Sequence, residues 1–223
     1  MRSYSPNSFI LALADPIHYF FLKGTFLKDI EILVLYSSKQ GSTKALADII
    51  CEGIENTPGC LSRLRTVSPI SNDFKMSQLP DDGPPYVESK DLRECSGLIL
   101  GSPTRFGNMC AEMKYFIDST LENWISGDLV GKPAGFFTSS SSMHGGQETT
   151  LITMMIPLIH HGMIVVGIPY TNKELTTTKS GGTPYGASHV SNNPTDKTLI
   201  TEEERILAEV LGQRVSSIAK KLN

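Results

Sequence analysis

The 223-residue sequence lacks the features that would tie it to nucleic acid, a membrane or an oxidising compartment. Lysine and arginine total 20 against 23 aspartates and glutamates, the formal net charge is -3, and no basic run stands out. Without a basic stripe there is no electrostatic footprint for a phosphodiester backbone, so no nucleic-acid partner is expected. The four cysteines, Cys51, Cys60, Cys95 and Cys110, show no CxxC spacing. That removes zinc-ribbon and thioredoxin-type patterns and leaves reduced, partly buried thiols. No Asn-x-Ser/Thr sequon is usable, because proline follows Asn193. No clean apolar run reaches spanning length: Phe9 to Leu27 is apolar-rich, but Asp15, Pro16, His18 and Lys23 interrupt it. As a secretory signal the same stretch has only Arg2 as a basic start and no clear small-residue cleavage site. These absences point to a cytoplasmic protein without a membrane span. Residues 1–29 read as an extension outside the core, and 30–223 as one domain.

What is present is an alternation of short apolar runs with helical patterns. Ile32-Leu33-Val34-Leu35 reads as a strand buried on both faces. Leu46, Ile49, Ile50 and Ile54 then recur at helical spacing until Pro58 and Gly59. Leu61 to Val67 reads as a second strand. A long polar connection, Pro69 to Glu88, leads to a short helix ending near Cys95. Gly97 to Gly101 is the third strand, and Met109, Met113, Phe116, Ile117 and Leu121 line one face of the next helix. Pro133 to Thr138 is the fourth strand, Gln147 to His161 a helix that Pro157 should bend, and Met163 to Ile168 the fifth strand. Tyr170 to Pro194 shows little periodicity; a structureless connection this long is a functional or assembly element. The last helix opens with a capping box, Thr201 with Glu204, and buries Leu207, Leu211, Val215 and Ile218. Five strand–helix alternations predict an α/β domain with a parallel sheet covered on both faces.

Three loops carry the chemistry. Ser37-Ser38-Lys39-Gln40-Gly41-Ser42-Thr43 follows the first strand and runs into a helix N-terminus, whose amides and dipole suit a phosphate. The same hydroxyls serve equally well as ordinary helix caps. Neither GxGxxG nor GxxxxGK[ST] occurs, which disfavours dinucleotide and ATP phosphate loops. Ser102-Pro103-Thr104-Arg105-Phe106-Gly107-Asn108 follows the third strand. A type I turn with Pro103 second and Asn108 as N-cap explains part of it, but not Arg105 and Phe106. Ser139-Ser140-Ser141-Ser142-Met143-His144-Gly145-Gly146 follows the fourth strand, pinned between strand and helix, and reads as a backbone cradle. Such loops gather at the sheet edge where α/β proteins bind ligands. Adjacent His160 and His161 point roughly 100° apart on a helix, so no shared metal is expected.

The chain resembles the WrbA-type flavoproteins, flavodoxin-like NAD(P)H:quinone oxidoreductases. The residues that carry this are Leu33-Val34-Leu35-Tyr36-Ser37-Ser38 through Gly41, and Ser102-Pro103-Thr104-Arg105-Phe106-Gly107-Asn108-Met109. Further matches are Trp124-Ile125-Ser126-Gly127-Asp128-Leu129-Val130-Gly131-Lys132-Pro133, His144-Gly145-Gly146-Gln147-Glu148-Thr149-Thr150, His160-His161-Gly162-Met163 and Gly181-Gly182-Thr183-Pro184-Tyr185-Gly186-Ala187. The resemblance runs from Ile30 to the C-terminus. It implies a five-stranded parallel sheet of order 2-1-3-4-5 and FMN at the sheet edge. Ser38, Lys39, Gln40, Gly41, Ser42 and Thr43 would hold the phosphate. Pro103, Thr104, Arg105, Phe106 and Gly107 would contact the isoalloxazine. Ser139, Ser140, Ser141, Ser142, Met143, His144 and Gly145 would flank the ring and ribityl chain.

Trp124 and His160 would line the pocket where NAD(P)H and a quinone bind in turn, with His160 as catalytic candidate. Trp124 is as readily explained by interface packing, and His160 by a neutral core histidine. The family is tetrameric, a dimer of dimers, with the pocket completed by a neighbouring subunit. Two positions depart from the family pattern: Gln40 stands where an aromatic residue often contacts the nicotinamide nucleotide, and Ser141 where glycine is common. The implied reaction is ping-pong two-electron transfer. A one-electron carrier of flavodoxin type is the first alternative, disfavoured by the near-neutral charge. A binding or assembly module that keeps the fold without flavin is the second.

Overall fold

The structure is a computed structural model that describes residues 30–70, 80, 82–192, 195–196 and 198–223. The expectation for residues 1–29, and half of that for the 69–88 connection, lies outside the described residues.

The strands are β1 (Ile30–Tyr36), β2 (Cys60–Thr66), β3 (Gly97–Pro103), β4 (Pro133–Ser140), β5 (Ile164–Val165) and β6 (Ala187–Val190). The helices are α1 (Ser42–Glu55), α2 (Ser89–Glu94), α3 (Ala111–Asp118), α4 (Leu121–Ser126), α5 (Gln147–His160), α6 (Glu174–Thr177) and α7 (Glu202–Leu222). The sheet has the order β2-β1-β3-β4-β5, all parallel, as expected from the sequence. Successive side chains of a strand face opposite sides, so β1 feeds two cores. Ile32, Val34 and Tyr36 pack with Leu46, Ile50, Leu207, Leu211 and Val215 of α1 and α7. Leu33 and Leu35 pack with Met113, Leu151, Met154 and Leu158 of α3 and α5. Each such fully buried side chain stabilises the fold by roughly 1.5–3 kcal/mol.

The fifth lane of the sheet differs from the expected continuous strand. Only Ile164 and Val165 pair with the start of β4, at Pro133 and Ala134. The chain then leaves the sheet, forms α6, and returns as β6 beside Phe137 to Ser140 at the far end of β4. The lane is therefore shared by two short strands with the 166–186 segment looped between them. Both Ile164 and Val165 are exposed rather than buried. The Tyr170–Pro194 stretch thus carries a strand that its composition conceals.

The helix expected from Met109 to Leu121 breaks into α3 and α4. The hydroxyls of Ser119 and Thr120 donate back to the carbonyls of Phe116 and Ile117, competing with continued helix. Leu121 consequently faces solvent, while Met109, Met113 and Ile117 stay buried. The α7 capping box forms as expected between Thr201 and Glu204.

Candidate functional site

The strand order reverses between β1 and β3, and the loops that follow β1, β3 and β4 meet there. After β1, Gly41 adopts φ 86° and α1 starts at Ser42 with no side-chain cap on its amides. A helix start without a side-chain acceptor leaves N–H donors and the positive dipole end facing the loop. Thr43 Oγ1 lies 2.8 Å from Ser139 Oγ, joining this helix start to the end of β4. Ser42 Oγ lies 3.0 Å from Ser191 Oγ, joining it to the residue after β6.

The loop after β3 is not the turn the sequence suggested. Pro103 stays in the strand, and the turn is Arg105-Phe106-Gly107-Asn108, closed by Arg105 N–H to Asn108 O at 2.8 Å and Asn108 N–H to Arg105 O at 3.0 Å. Phe106 has φ 52° and Gly107 φ 75°, the signature of a type I′ turn. Asn108 therefore closes a turn rather than capping a helix, and Cys110 precedes α3 as its N-cap. Phe106 is the one non-glycine residue with positive φ among the described residues, and its ring is fully exposed. A bulky aromatic in the left-handed region is a strained conformation. Gly107 and Gly146 allow the turn to touch the start of α5, since a Cβ on Gly146 would lie 2.9 Å from Gly107 Cα. Thr104 is fixed by its amide to Ser139 O at 2.9 Å and by hydroxyl contacts with Thr138 and Thr150.

These loops enclose a cavity of about 550 Å³ lined by Ser38, Lys39, Gln40, Ser42, Thr43, Pro103, Thr104, Arg105, Phe106, Ser139, Ser140, Ser141, Ser142, Gly145 and Ser191. Its size is that of a small-molecule site. The lining gathers most of the residues singled out in the sequence. Gly41, Gly107, Met143, His144, His160 and Trp124 are not part of it. Ser191 was missed, because it follows a strand with no visible periodicity. Lys39 lies 3.1 Å from Glu112, whose carboxyl is held below its ordinary value: burial pushes it up, but its own backbone N–H and the Lys39 ammonium outweigh that.

Trp124 and His160 line a second hollow of about 530 Å³ with Asn108, Met109, Thr120, Ile156 and Pro157. The Arg105–Asn108 turn contributes to both hollows, Arg105 and Phe106 to the first and Asn108 to the second. Trp124 Nε1–H donates to His160 O at 2.8 Å. His161 is buried, with Nε2 2.9 Å from Thr120 Oγ1. That hydroxyl already donates to Ile117 O at 2.7 Å, so the ring must donate, which assigns the neutral Nε2–H tautomer. Nδ1 has no partner among the described residues. Burial, then the neighbouring His160, lowers the His161 pKa below its ordinary 6.5.

The sequence matches the NADPH-dependent FMN reductase family over residues 30–175, about two thirds of the chain. The chain belongs to that family. Relatives within reach of it include a protein of Geotalea daltonii described as NAD(P)H dehydrogenase (quinone), 40% identical over 205 residues, spanning 86% of this chain and 98% of that protein. A Geobacter sulfurreducens protein of the same description is 37% identical over 202 residues, 86% of this chain and 99% of the relative. Among solved structures, the flavodoxin, WrbA-like protein from Agrobacterium tumefaciens superposes with a TM-score of 0.61 at 22% identity, covering 86% of this chain and 99% of that one. At that identity the likeness speaks for the flavodoxin-like fold. No helix among the described residues is long and apolar enough to cross a membrane.

Proposed function

We propose that the chain is an FMN-dependent NAD(P)H:quinone oxidoreductase. The observation that carries this reading is the cradle at the uncapped start of α1, where hydroxyls from β1, β4 and β6 loops converge on one cavity. Ser38, Ser42, Thr43 and the α1 amides suit a phosphate, which is dianionic and accepts hydrogen bonds only. Thr104, Arg105 and Phe106 form the wall for the isoalloxazine, and Ser139 to Ser142 with Gly145 flank it. The strain at Phe106 supports a role for its exposed ring, because a fold retains such strain chiefly at functional sites. Bound there, FMN would supply the hydride-transfer chemistry that links NAD(P)H oxidation to quinone reduction, while these residues hold and orient it. Gln40, on the cavity wall, faces the nicotinamide nucleotide.

Trp124 and His160 belong to a different hollow of the same chain, so in this reading they serve the flavin site of a second copy. Exposed Leu121, Trp124, Ile125, Val130, Ile156 and Ile159 support such an assembly, a homotetramer built as a dimer of dimers. There Trp124 stacks on the substrate, and the exposed His160 ring positions the quinone or gives it a proton. Thiols without disulfides are in keeping with the cytoplasm. Thermal unfolding with and without FMN tests the cradle: saturating FMN raises Tm, whereas an unchanged Tm contradicts the reading.

A further inference from the structure

A third hollow, of about 620 Å³, opens at the same edge of the sheet. It is walled by Tyr36 and Ser37 where β1 ends, by Thr66 and Val67 where β2 ends, and by Pro84 and Tyr86. The chain at Pro84–Val87 is held beside the end of β2: Thr66 N–H donates to Pro85 O at 3.1 Å and Val87 N–H to Thr66 O at 2.9 Å. Crevices at the carboxyl ends of parallel strands are where such sheets bind ligands, and the volume is that of a small-molecule site.

This hollow adjoins the cradle at the phosphate end. Ser38 and Lys39 line both, and Gly41 and Lys44 at the start of α1 line the hollow as well. Thr104, Arg105 and Phe106, at the ring end of the cradle, do not. Lys44 is tied to Asp48 at 2.7 Å. Lys39 stands at the junction with its side chain largely exposed, 3.1 Å from Glu112. An ammonium carries three donors, so that ion pair leaves Lys39 able to meet a phosphate.

The floor of the hollow holds a polar group without a partner. Tyr36 is 4% exposed, and its ring packs in the core with Leu46 and Ile50. Its hydroxyl has no hydrogen-bond partner among the described residues. A buried tyrosine hydroxyl ordinarily finds one. Burial, then the nearby Asp48, Cys51 and Asp82, pushes this phenol up to about 12, so it keeps its proton and can donate. Asp82 lines the hollow too and offers an acceptor there. Flat aromatic walls with one donor and one acceptor match a purine base and its ribose.

We propose that the third hollow is an adenosine subsite continuous with the flavin cradle, so that the protein takes FAD as well as FMN. The proposal rests on the FMN reading above, since a phosphate held at the α1 start is what aligns the ligand with the hollow. The second phosphate passes Lys39, the base packs on Tyr86 and accepts from Tyr36, and a ribose hydroxyl donates to Asp82. NAD(P)H carries the same adenosine. The junction at the phosphate end, away from Arg105 and Phe106, favours FAD.

The test is calorimetric titration of FMN and FAD into the flavin-free wild-type protein, Tyr36→Phe and Tyr86→Ala, and of NADP+ into the FMN-loaded forms. Wild-type protein should bind FAD within about tenfold of FMN. Loss of one neutral hydrogen bond predicts that Tyr36→Phe weakens FAD about fivefold and leaves FMN within about twofold. Loss of a stacking ring predicts that Tyr86→Ala weakens FAD about tenfold or more, again with FMN within about twofold. FMN binding by each variant reports that it is folded, and the wild-type FAD titration needs no variant. FMN binding without FAD binding overturns the proposal and leaves the FMN reading intact. So does FAD affinity unchanged in both variants, equal weakening of the two flavins, or weakening of NADP+ in place of FAD. Wild-type protein that binds neither flavin overturns both.

Discussion

The indole N–H of Trp124 donates to the main-chain carbonyl of His160 at 2.8 Å, tying the short helix α4 to the last turn of α5. The bond fixes two walls of one hollow and couples the ring to the residue that carries the exposed imidazole. Trp124→Phe keeps an aromatic face and removes the donor. Its carbonyl partner is open to water, so stability should fall by less than about 1 kcal/mol. In the reading above Trp124 meets the substrate at a second copy's site and is not part of the cradle lining, so the quinone kcat/KM should fall several-fold with FMN affinity unchanged. A matching loss of FMN affinity would show that Trp124 holds the flavin as well as the substrate.

Phe106 sits at the first central position of a type I′ turn, where asparagine before glycine is strongly preferred. A non-glycine residue in the left-handed region costs about 1–2 kcal/mol. Phe106→Asn should therefore raise the urea-unfolding free energy by about 1 kcal/mol, since the ring has nothing to lose by way of packing in its own chain. The same variant should lower quinone reductase turnover. Lower stability would mean that the ring is covered in the folded state.

The Glu204 carboxyl is pulled from its ordinary 4.5 to about 2. Burial pushes it up, and the hydrogen bonds from His189, Thr201 and Val190 more than reverse that. A depressed carboxyl contributes stability that is complete above pH 4.5 and is lost as pH falls through 2. Acid unfolding should steepen across that window, and Glu204→Gln should be less stable at neutral pH with a flatter acid limb. Identical limbs would contradict the assignment.

His161 has the same sign for a different reason. Its neutral form is favoured in the fold, so the unfolded chain binds more protons below pH 6.5 and stability falls as pH drops from there. His161→Gln keeps a donor toward Thr120 and removes the titration. Urea unfolding at pH 7.5 and 5.5 should show a smaller difference for the variant than for the wild type.

Much of this was legible in sequence. Fully buried strands read as unbroken apolar runs, so β1, β3 and β4 were visible, as was the Thr201–Glu204 box. The hydroxyl-rich loops pointed to the cavity that Ser38, Thr43, Thr104 and Ser139 do line. What escaped depends on long-range pairing. Ala187 to Val190 becomes a strand because β4 offers it an edge, and because Glu204, far along the chain, takes the Val190 amide and the His189 ring. Ser191 was hidden for the same reason. The Arg105–Asn108 turn escaped because the left-handed conformation of Phe106 contradicts local preference, a conflict typical of functional positions. The α3–α4 break came from hydroxyl back-bonding at Ser119 and Thr120, which apolar periodicity does not register.

The central claim is that one cradle serves NAD(P)H and quinone through FMN. Initial velocities of NAD(P)H oxidation by the FMN-loaded protein, measured over a grid of NAD(P)H and benzoquinone concentrations, test it most directly. The account predicts quinone-dependent oxidation with parallel double-reciprocal lines, as two substrates visiting one site in turn require. Bound FMN without quinone-dependent NAD(P)H oxidation would contradict it.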